Sequence, residues 1–508
     1  MSEVTQTLDR TSRARALEKT VLRKLDCRIL PAVTILYLVS FLDRSNIGNA
    51  KIAGLEKDLH LHGTQFNTSL AVFFITYILS EIPSNIVMKK FKPNRWLGFL
   101  VAAWGLVTTL TGLTQNFAGL VAIRLLLGLL EGGLVPGVVL YLSCMYKRHE
   151  LQFRIGIFYA AASLSGAFGG LLASGIVQMD GVLKLAGWRW IFILEGIATT
   201  ILSIMTIFVL PCDVASAKFL TKEEKDYALW RLKQDDELPS IDHLHGTPKS
   251  DAIELRVTSY ESPISDPMSE HEEFEWRELR RGIFDIQTWL NGLSFFGFIT
   301  SLYSFSYFFP TIVSGLGYSG YQAQLHTVPP YVLAVVLTVA VSALSDRVKL
   351  RGPFVLVLLP LTMIGYIIAI ESKTNTARYI GSCLIAAGTY ASVPCILTAA
   401  ANNSSGHYKR ATSTAVQTAL ANASGFIATF IYTPDQMPRY QKGHTIALAC
   451  VVFAWFMSAV QVLHCLWENK ARREGRRDSN IAKYRVLLNA RLTKAPIGDR
   501  HPDFMFTP

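Results

Sequence analysis

Four ionisable residues stand in stretches that are otherwise apolar. Asp43 and Arg44 close one run in Leu42-Asp43-Arg44-Ser45-Asn46-Ile47-Gly48-Asn49-Ala50. Arg124 and Glu131 sit inside another, Arg124-Leu-Leu-Leu-Gly-Leu-Leu-Glu131-Gly-Gly-Leu-Val-Pro136-Gly137. A charge at the centre of a bilayer costs roughly 2.5–3.5 kcal/mol on insertion scales, so each needs a reason to be there. Planar guanidinium forks pair bidentately with a carboxylate, and two acids beside them suit a proton relay, because a neighbouring arginine and burial pull a carboxyl pKa in opposite directions. The plain alternative is that Asp43 pairs with Arg124 and Arg44 with Glu131 only to neutralise charge. Apolar residues fill that role at equal or better stability, so the spacing favours a polar anion site.

The elements that must hold these residues are membrane helices. Half of the 508 residues are hydrophobic and only 17% are charged, against about 25% in an ordinary soluble domain. The charges gather in the tails and short loops, leaving runs of the ~20 residues that cross a bilayer. The reading is an all-α polytopic membrane protein with twelve spans, near residues 29–50, 66–88, 96–114, 117–146, 155–177 and 188–210, then 283–313, 327–344, 354–370, 379–401, 411–432 and 444–467. An N-tail (1–28) precedes a six-helix bundle (29–211). A polar central loop (212–282) precedes a second bundle (283–467) and a C-tail (468–508). Within the loop, Thr221 and Glu224 read as a capping box, and residues 239–272 as a flexible linker.

The net charge of +11 comes from basic residues on alternate loops, not from a stripe interleaved with aromatics. That is the topology signal of a membrane protein with both termini in the cytoplasm, and no nucleic-acid partner is expected. The first span then runs outward and the fourth inward. Arg44 lies about six residues before the outer end of its span and Arg124 about seven after the outer start of its own. At ~1.5 Å per residue both sit about 10 Å below the outer surface and can share one cavity.

Other residues are candidates around that cavity. Tyr77, Tyr303, Tyr307 and Asn291 lie on the second and seventh spans. Glu81, in Ser80-Glu-Ile-Pro83, reads as a gating or structural acid, and Glu195 as a packing acid with a hydroxyl partner. Gly128/Gly132 and Gly166/Gly170 have the small-xxx-small spacing of close helix contacts. Pro310 is expected to kink the seventh span. His60 and His62 read as solvated, and Asn67-Thr-Ser as a glycosylation sequon set against a span. The seven cysteines include no Cys-x-x-Cys pair, and no disulfide is expected. There is no Walker A pattern, metal-ligand cluster or nucleophile elbow, so the chain reads as neither an enzyme nor an ATP-driven pump. No cofactor or metal is expected, and the proton gradient is the natural energy source.

The layout of six spans, loop and six spans resembles the major facilitator superfamily, and Ser342-Ala-Leu-Ser-Asp346-Arg347-Val-Lys-Leu-Arg351-Gly352 resembles its cytoplasmic loop motif. The equivalent first-half turn, Ser84-Asn85-Ile-Val-Met-Lys89-Lys90-Phe-Lys92-Pro93, lacks the usual Asp-Arg. Together with the Asp43-Arg44, Glu81-Ile-Pro83-Ser-Asn85 and Arg124-Glu131 stretches, this resembles the anion:cation symporter family, and within it the fungal allantoate permease group. The resemblance implies proton-coupled uptake of a small organic anion such as nicotinate, allantoate or a vitamin, by a plasma-membrane monomer. It implies that Arg44, Arg124 and Tyr77 contact substrate, while second-half contacts vary with cargo and Tyr303 and Asn291 stay candidates from their place on the seventh span. It implies that Asp43 and Glu131 carry the proton, and that Asp346 and Arg347 hold an inner gate. Two alternatives stay open: export of an acidic metabolite by proton exchange, and a ligand-sensing membrane receptor that moves nothing.

Overall fold

The computed structural model describes residues 2–236, 275–318, 320–348, 350–405, 407–490, 492–493 and 497–508. The linker expected over 239–272 lies outside the described residues. Among those described the chain is helical, with no strand. In the first half the helices are α1 (Ser2–Ala50), α2 (Gln65–Lys90), α3 (Pro93–Thr111), α4 (Phe117–Glu131), α5 (Leu134–Ser143), α6 (Arg148–Ile176) and α7 (Gly187–Val209). A surface helix, α8 (Lys222–Asp236), follows, and α9 (Trp276–Ile283) leads into the second half. There the helices are α10 (Ile286–Gly315), the short α11 (Gly320–Leu325), α12 (Val328–Val348), α13 (Gly352–Glu371), α14 (Asn375–Asn402), α15 (His407–Phe430) and α16 (Gln441–Arg473), with α17 (Ser479–Asn489) beyond.

Nine spans among the described residues are long and apolar enough to cross a membrane. The long helices α2, α3 and α15 stand where the sequence places spans two, three and eleven. Three features of these elements bear on the expected spans. The N-tail is helical and continuous with the first span: one helix runs from Ser2 through Ala50, and a π-helical turn, Lys51–Leu55, kinked at Gly54, leads on to Asp58. The fourth span breaks between α4 and α5 at Gly132-Gly133. Each glycine costs a helix about 1 kcal/mol, and Pro136 has no N–H to offer the Gly132 carbonyl. Pro310, where a kink is expected, lies inside one continuous helix, α10.

The two halves repeat one packing plan. In each, the first and fifth long helices pack together (α1 on α6, α10 on α15), as do the second and fourth (α2 on α4, α12 on α14) and the third and sixth (α3 on α7, α13 on α16). Between halves, α1 meets α10, α2 meets α15 and α6 meets α12. Close approach follows from the small residues. A Cβ on Gly128 would stand 2.2 Å from the Phe73 carbonyl, and one on Gly132 2.3 Å from the Tyr77 carbonyl, so α4 lies backbone-to-backbone on α2. Gly48 meets the Tyr307 carbonyl in the same way and joins α1 to α10. Gly170 faces Thr327 and the Gln324 carbonyl, and Gly166 faces the Tyr331 ring.

Both termini lie at one end of the bundles. There Arg154 of α6 makes two 2.7 Å bonds to Asp26 of α1, Arg231 of α8 bonds Glu150 at 2.8 Å, and Lys24 bonds Glu224 at 2.7 Å. The expected capping box is present: Thr221 N–H donates to Glu224 at 2.8 Å and Glu224 N–H to the Thr221 hydroxyl at 3.3 Å. The polar C-tail does more than expected. Residues 497–508 form a strap over the second half, in which Asn469 exchanges two hydrogen bonds with the Phe506 backbone and Asn403 two with Thr507. The Pro508 carbonyl accepts from the N–H groups of Arg351 and Gly352. None of the seven cysteines forms a disulfide.

Candidate functional site

The site is built where α1, α2, α4, α10 and α15 converge. Arg44, on α1, is 4% exposed. Its Nε donates to Glu131 Oε1 of α4 at 2.7 Å, and Glu131 also accepts from the Ser40 hydroxyl at 2.7 Å. A second Arg44 donor reaches the Tyr303 hydroxyl on α10 at 3.0 Å. The guanidinium carbon lies 4.9 Å from the Tyr77 ring centre and 5.3–5.5 Å from Phe41, Phe73 and Tyr303. Such an aromatic cage stabilises a cation that water no longer reaches.

The chain of bonds goes on. The Tyr303 hydroxyl donates to Asn422 Oδ1 of α15 at 3.2 Å, and the Asn422 amide donates to Glu81 of α2 at 3.3 Å. Glu131, Arg44, Tyr303, Asn422 and Glu81 thus form one hydrogen-bonded path from the first half into the second and back. Glu81, read from the sequence as a gating or structural acid, is a member of this network.

Arg124 is different. It is 3% exposed, yet its Nε and one terminal nitrogen have no hydrogen-bond partner among the described residues. Asp43 and Glu131 are its nearby counter-charges, with Tyr307 also close. One oxygen of the Asp43 carboxylate, Oδ2, accepts from the Trp104 indole at 2.9 Å and the Thr108 hydroxyl at 3.2 Å, while Oδ1 has no hydrogen-bond partner among the described residues. Of the neutralising pairs weighed above, Arg44–Glu131 is therefore formed and Asp43–Arg124 is not hydrogen-bonded. Arg44 is bonded to Glu131, seven residues along α4 from Arg124, and Glu131 and Tyr307 lie near both arginines.

The remaining candidates fall outside the cluster. Asn291 donates to the Gln287 carbonyl one turn back in α10. It lies twelve residues before Tyr303, about 18 Å along the helix, so the two share a helix and not a site. Arg347 is exposed in the last turn of α12, and the side chain of Asp346 lies outside those described. Glu195 takes the Asn46 amide as its partner rather than a hydroxyl. His60 and His62 are exposed. Asn67 is fully buried, its amide donating to the carbonyls of Thr429 and Tyr432 at 2.6 and 2.9 Å, so no glycan fits there in this arrangement. Sequence reasoning missed Asn422, Ser40, Trp104 and Thr108. The only available signal was an uncharged polar group or indole in the middle of a span.

The family model of the Major Facilitator Superfamily matches residues 33–429. The chain belongs to that superfamily. An uncharacterized transporter of Schizosaccharomyces pombe is 36% identical over 92% of this chain and 87% of its own. A high-affinity nicotinic acid transporter of Saccharomyces cerevisiae is 32% identical over 97% of this chain and 86% of its own. Among solved structures, a partially occluded inward-open form of the xylose transporter XylE from E. coli superposes with a TM-score of 0.60 at 14% identity, over 85% of this chain and 97% of its own. An inward-facing bacterial homologue of the lysosomal transporter Spinster gives 0.59 at 16% identity, over 86% and 96%. At these identities the likeness is one of fold. As a major facilitator protein the chain is a multi-pass membrane transporter of small molecules and not an enzyme. Its repeated bundle plan places the Arg44 cluster where the two halves meet.

Proposed function

We propose that this transporter takes up a small organic carboxylate together with a proton across the plasma membrane, as a monomer with both termini in the cytoplasm. The observation that carries the reading is Arg124: a buried guanidinium with donors to spare, beside a second arginine already caged in aromatics. A carboxylate supplies what those donors lack, and a planar fork binds it bidentately. The S. cerevisiae relative, named for nicotinic acid, supports a monocarboxylate as the first class to test.

Coupling follows from charge balance. An ionised Glu131 holds Arg44. A proton on Glu131 weakens that hold and leaves Arg44 able to turn toward an anion on Arg124, so proton and carboxylate enter as a neutral pair. Because Arg44 also bonds Tyr303, its release loosens the Tyr303–Asn422–Glu81 path between the halves, which suits rocking of two bundles about a midplane site. Asp43, bonded to α3, acts as the fixed counter-charge of Arg124. Asp346 and Arg347 act at the inner gate.

The test is uptake of labelled nicotinate, allantoate, pantothenate and biotin in transporter-deficient cells, at acid and neutral pH and with a protonophore, for wild type and Arg124→Ala. Uptake of one anion that is stronger at acid pH, collapses with the protonophore and is absent in Arg124→Ala at equal surface expression is the expected result. Uptake that survives Arg124→Ala overturns the site assignment.

A further inference from the structure

A cavity of about 770 Å3 opens at the terminus-bearing end of the second bundle, away from the Arg44–Arg124 cluster. Its walls are α9, the start of α10, Lys409 of α15, the end of α16 and the C-terminal strap. Six cations face it: Arg277, Arg280, Arg281, Lys409, Arg472 and Arg500. The acids are Asp285, Glu468 and Asp499. Those acids are already engaged. Lys409 is held by Asp285 and Asp499 together, Arg281 bonds Glu278 at 2.6 Å and Asp499 at 3.2 Å, and Glu468 bonds Arg477 and lies 3.8 Å from Arg472. Arg277, Arg280 and Arg500 are left without an ion pair among the described residues. Burial, and then the repulsion of Arg281 and more weakly of Arg277, push the Arg500 guanidinium below its ordinary value. The cavity therefore carries positive charge that its own acids do not balance.

The rim is of the opposite character. Trp276, Phe284 and Ile286 line the cavity and are 67%, 81% and 54% exposed. Trp289, one turn further along α10, is 43% exposed, and Leu463 and Trp467 of α16, beside the lining residues His464 and Glu468, are 65% and 51% exposed. Aromatic side chains in this setting mark the headgroup level of a bilayer. Left in water, that apolar area costs about 25 cal/mol per Å², and a free phosphate would not cover it. A basic pocket between helix ends that runs out onto a lipid-facing aromatic rim is amphipathic in the same sense as a phospholipid.

We propose that this cavity binds the phosphate headgroup of an anionic phospholipid, with its acyl chains lying over Phe284, Ile286 and Trp289. The bound headgroup bridges Arg277 and Arg280 of α9 to Arg500 of the strap, and so ties residues 497–508 to the start of α10.

The experiment uses full-length protein in nanodiscs of phosphatidylcholine, alone or mixed with phosphatidylinositol. Retained lipid is read by native mass spectrometry after release, and thermal stability is read in parallel. Wild type is expected to keep phosphatidylinositol in preference to phosphatidylcholine and to melt higher with it. Each of Arg277→Gln, Arg280→Gln and Arg500→Gln should weaken retention about fivefold, the worth of one basic residue near an anionic surface, while the Lys versions keep most of it. Arg280 is exposed and has no ion pair among the described residues, so Arg280→Gln serves if either of the other variants fails to fold. Inorganic phosphate and glycerophosphoinositol are added to the detergent-solubilised protein as soluble probes. If either stabilises it as well as the intact lipid does, the site takes a soluble phosphate and the lipid assignment falls. Equal retention of both lipids by wild type, or unchanged retention in Arg280→Gln, overturns the proposal.

Discussion

With Glu131 ionised, Arg44 is held at 2.7 Å by a charge-assisted bond and another of its donors is spent on Tyr303. Glu131→Gln keeps the shape and removes the charge, which mimics the protonated carrier permanently. Exchange of labelled for unlabelled substrate across vesicles should persist. Accumulation driven by an acid-outside gradient should fall about tenfold or more, the effect of roughly 1.4 kcal/mol on an equilibrium. A Glu131→Gln protein that accumulates substrate as wild type does would remove Glu131 from the proton path. Asn422→Leu cuts the other end of the network and leaves Glu81 buried without its amide, at a cost of about 1–3 kcal/mol. It should lower both the melting temperature and turnover, whereas Asn291→Leu, remote from the cluster, should leave the Arg44 bonds and substrate affinity near wild type. A competition assay separates the two. The site was legible in sequence as far as charge reaches. Asp43, Arg44, Arg124 and Glu131 stand out because hydrocarbon makes ionised groups expensive. Asn422 and Asn291 look alike in sequence, since each is one neutral amide in an apolar run. Only the rotation and register of α15 and α10 decide which of them meets Tyr303, and no local pattern encodes that.

At the scale of elements, the site depends on α4 lying against α2. Adding a methyl group at Gly128 or Gly132 would drive a Cβ to 2.2–2.3 Å from backbone carbonyls of α2, and backbone cannot step aside as a flexible side chain does. Gly132→Ala should therefore destabilise the protein by about 1–3 kcal/mol, the usual cost of overpacking, and move Glu131 away from Arg44. Gly156 on α6 has nothing within 4 Å of its ideal Cβ. Gly156→Ala should be neutral or stabilising by about 0.5–1 kcal/mol, the helix-propensity difference. Melting curves of the two variants in one detergent make the comparison, and equal loss in both would show that general helix perturbation, not the α2–α4 contact, is being measured. The spans were readable because an apolar run of bilayer length has few other fates, and Gly128/Gly132 because small residues at that spacing admit a neighbour. The continuation of α1 to Asp58 and the strap at 497–508 were not readable. The first turns on one π-helical turn that contains Gly54 at positive φ (108°). The second is held by Asn403 and Asn469, far away in sequence, on a segment with no periodicity of its own.

Across the whole molecule, every hydrogen bond described between the halves lies at mid-depth or at the end opposite the termini. Arg44–Tyr303 and Asn422–Glu81 are the central ones. Asn67 bonds the Thr429 and Tyr432 carbonyls, and Gln324 reaches the Asn49 carbonyl. At that same end Lys51 packs over the Phe66 and Phe308 rings. The halves are thus latched on one side, as alternating access requires of one of its end states. Asn67 is the latch most open to test, because it contributes two buried bonds and touches none of the proposed substrate groups. Each is worth about 1 kcal/mol net, so Asn67→Ala should shift the balance of latched and unlatched forms about tenfold or more toward opening at this end. Spin labels at Thr64→Cys and Asp435→Cys, both exposed positions, flank the latch. They would be placed in a background with the exposed Cys27 and Cys144 replaced by Ser. Wild type should give a short distance population, and Asn67→Ala a second, longer one that grows when the pH is lowered outside. If the distribution is unchanged while Asn67→Ala still folds, the closure of this end rests on the α1–α10 contact at Gly48 and Tyr307. The axis of rocking would then run through that contact rather than through the Arg44 network.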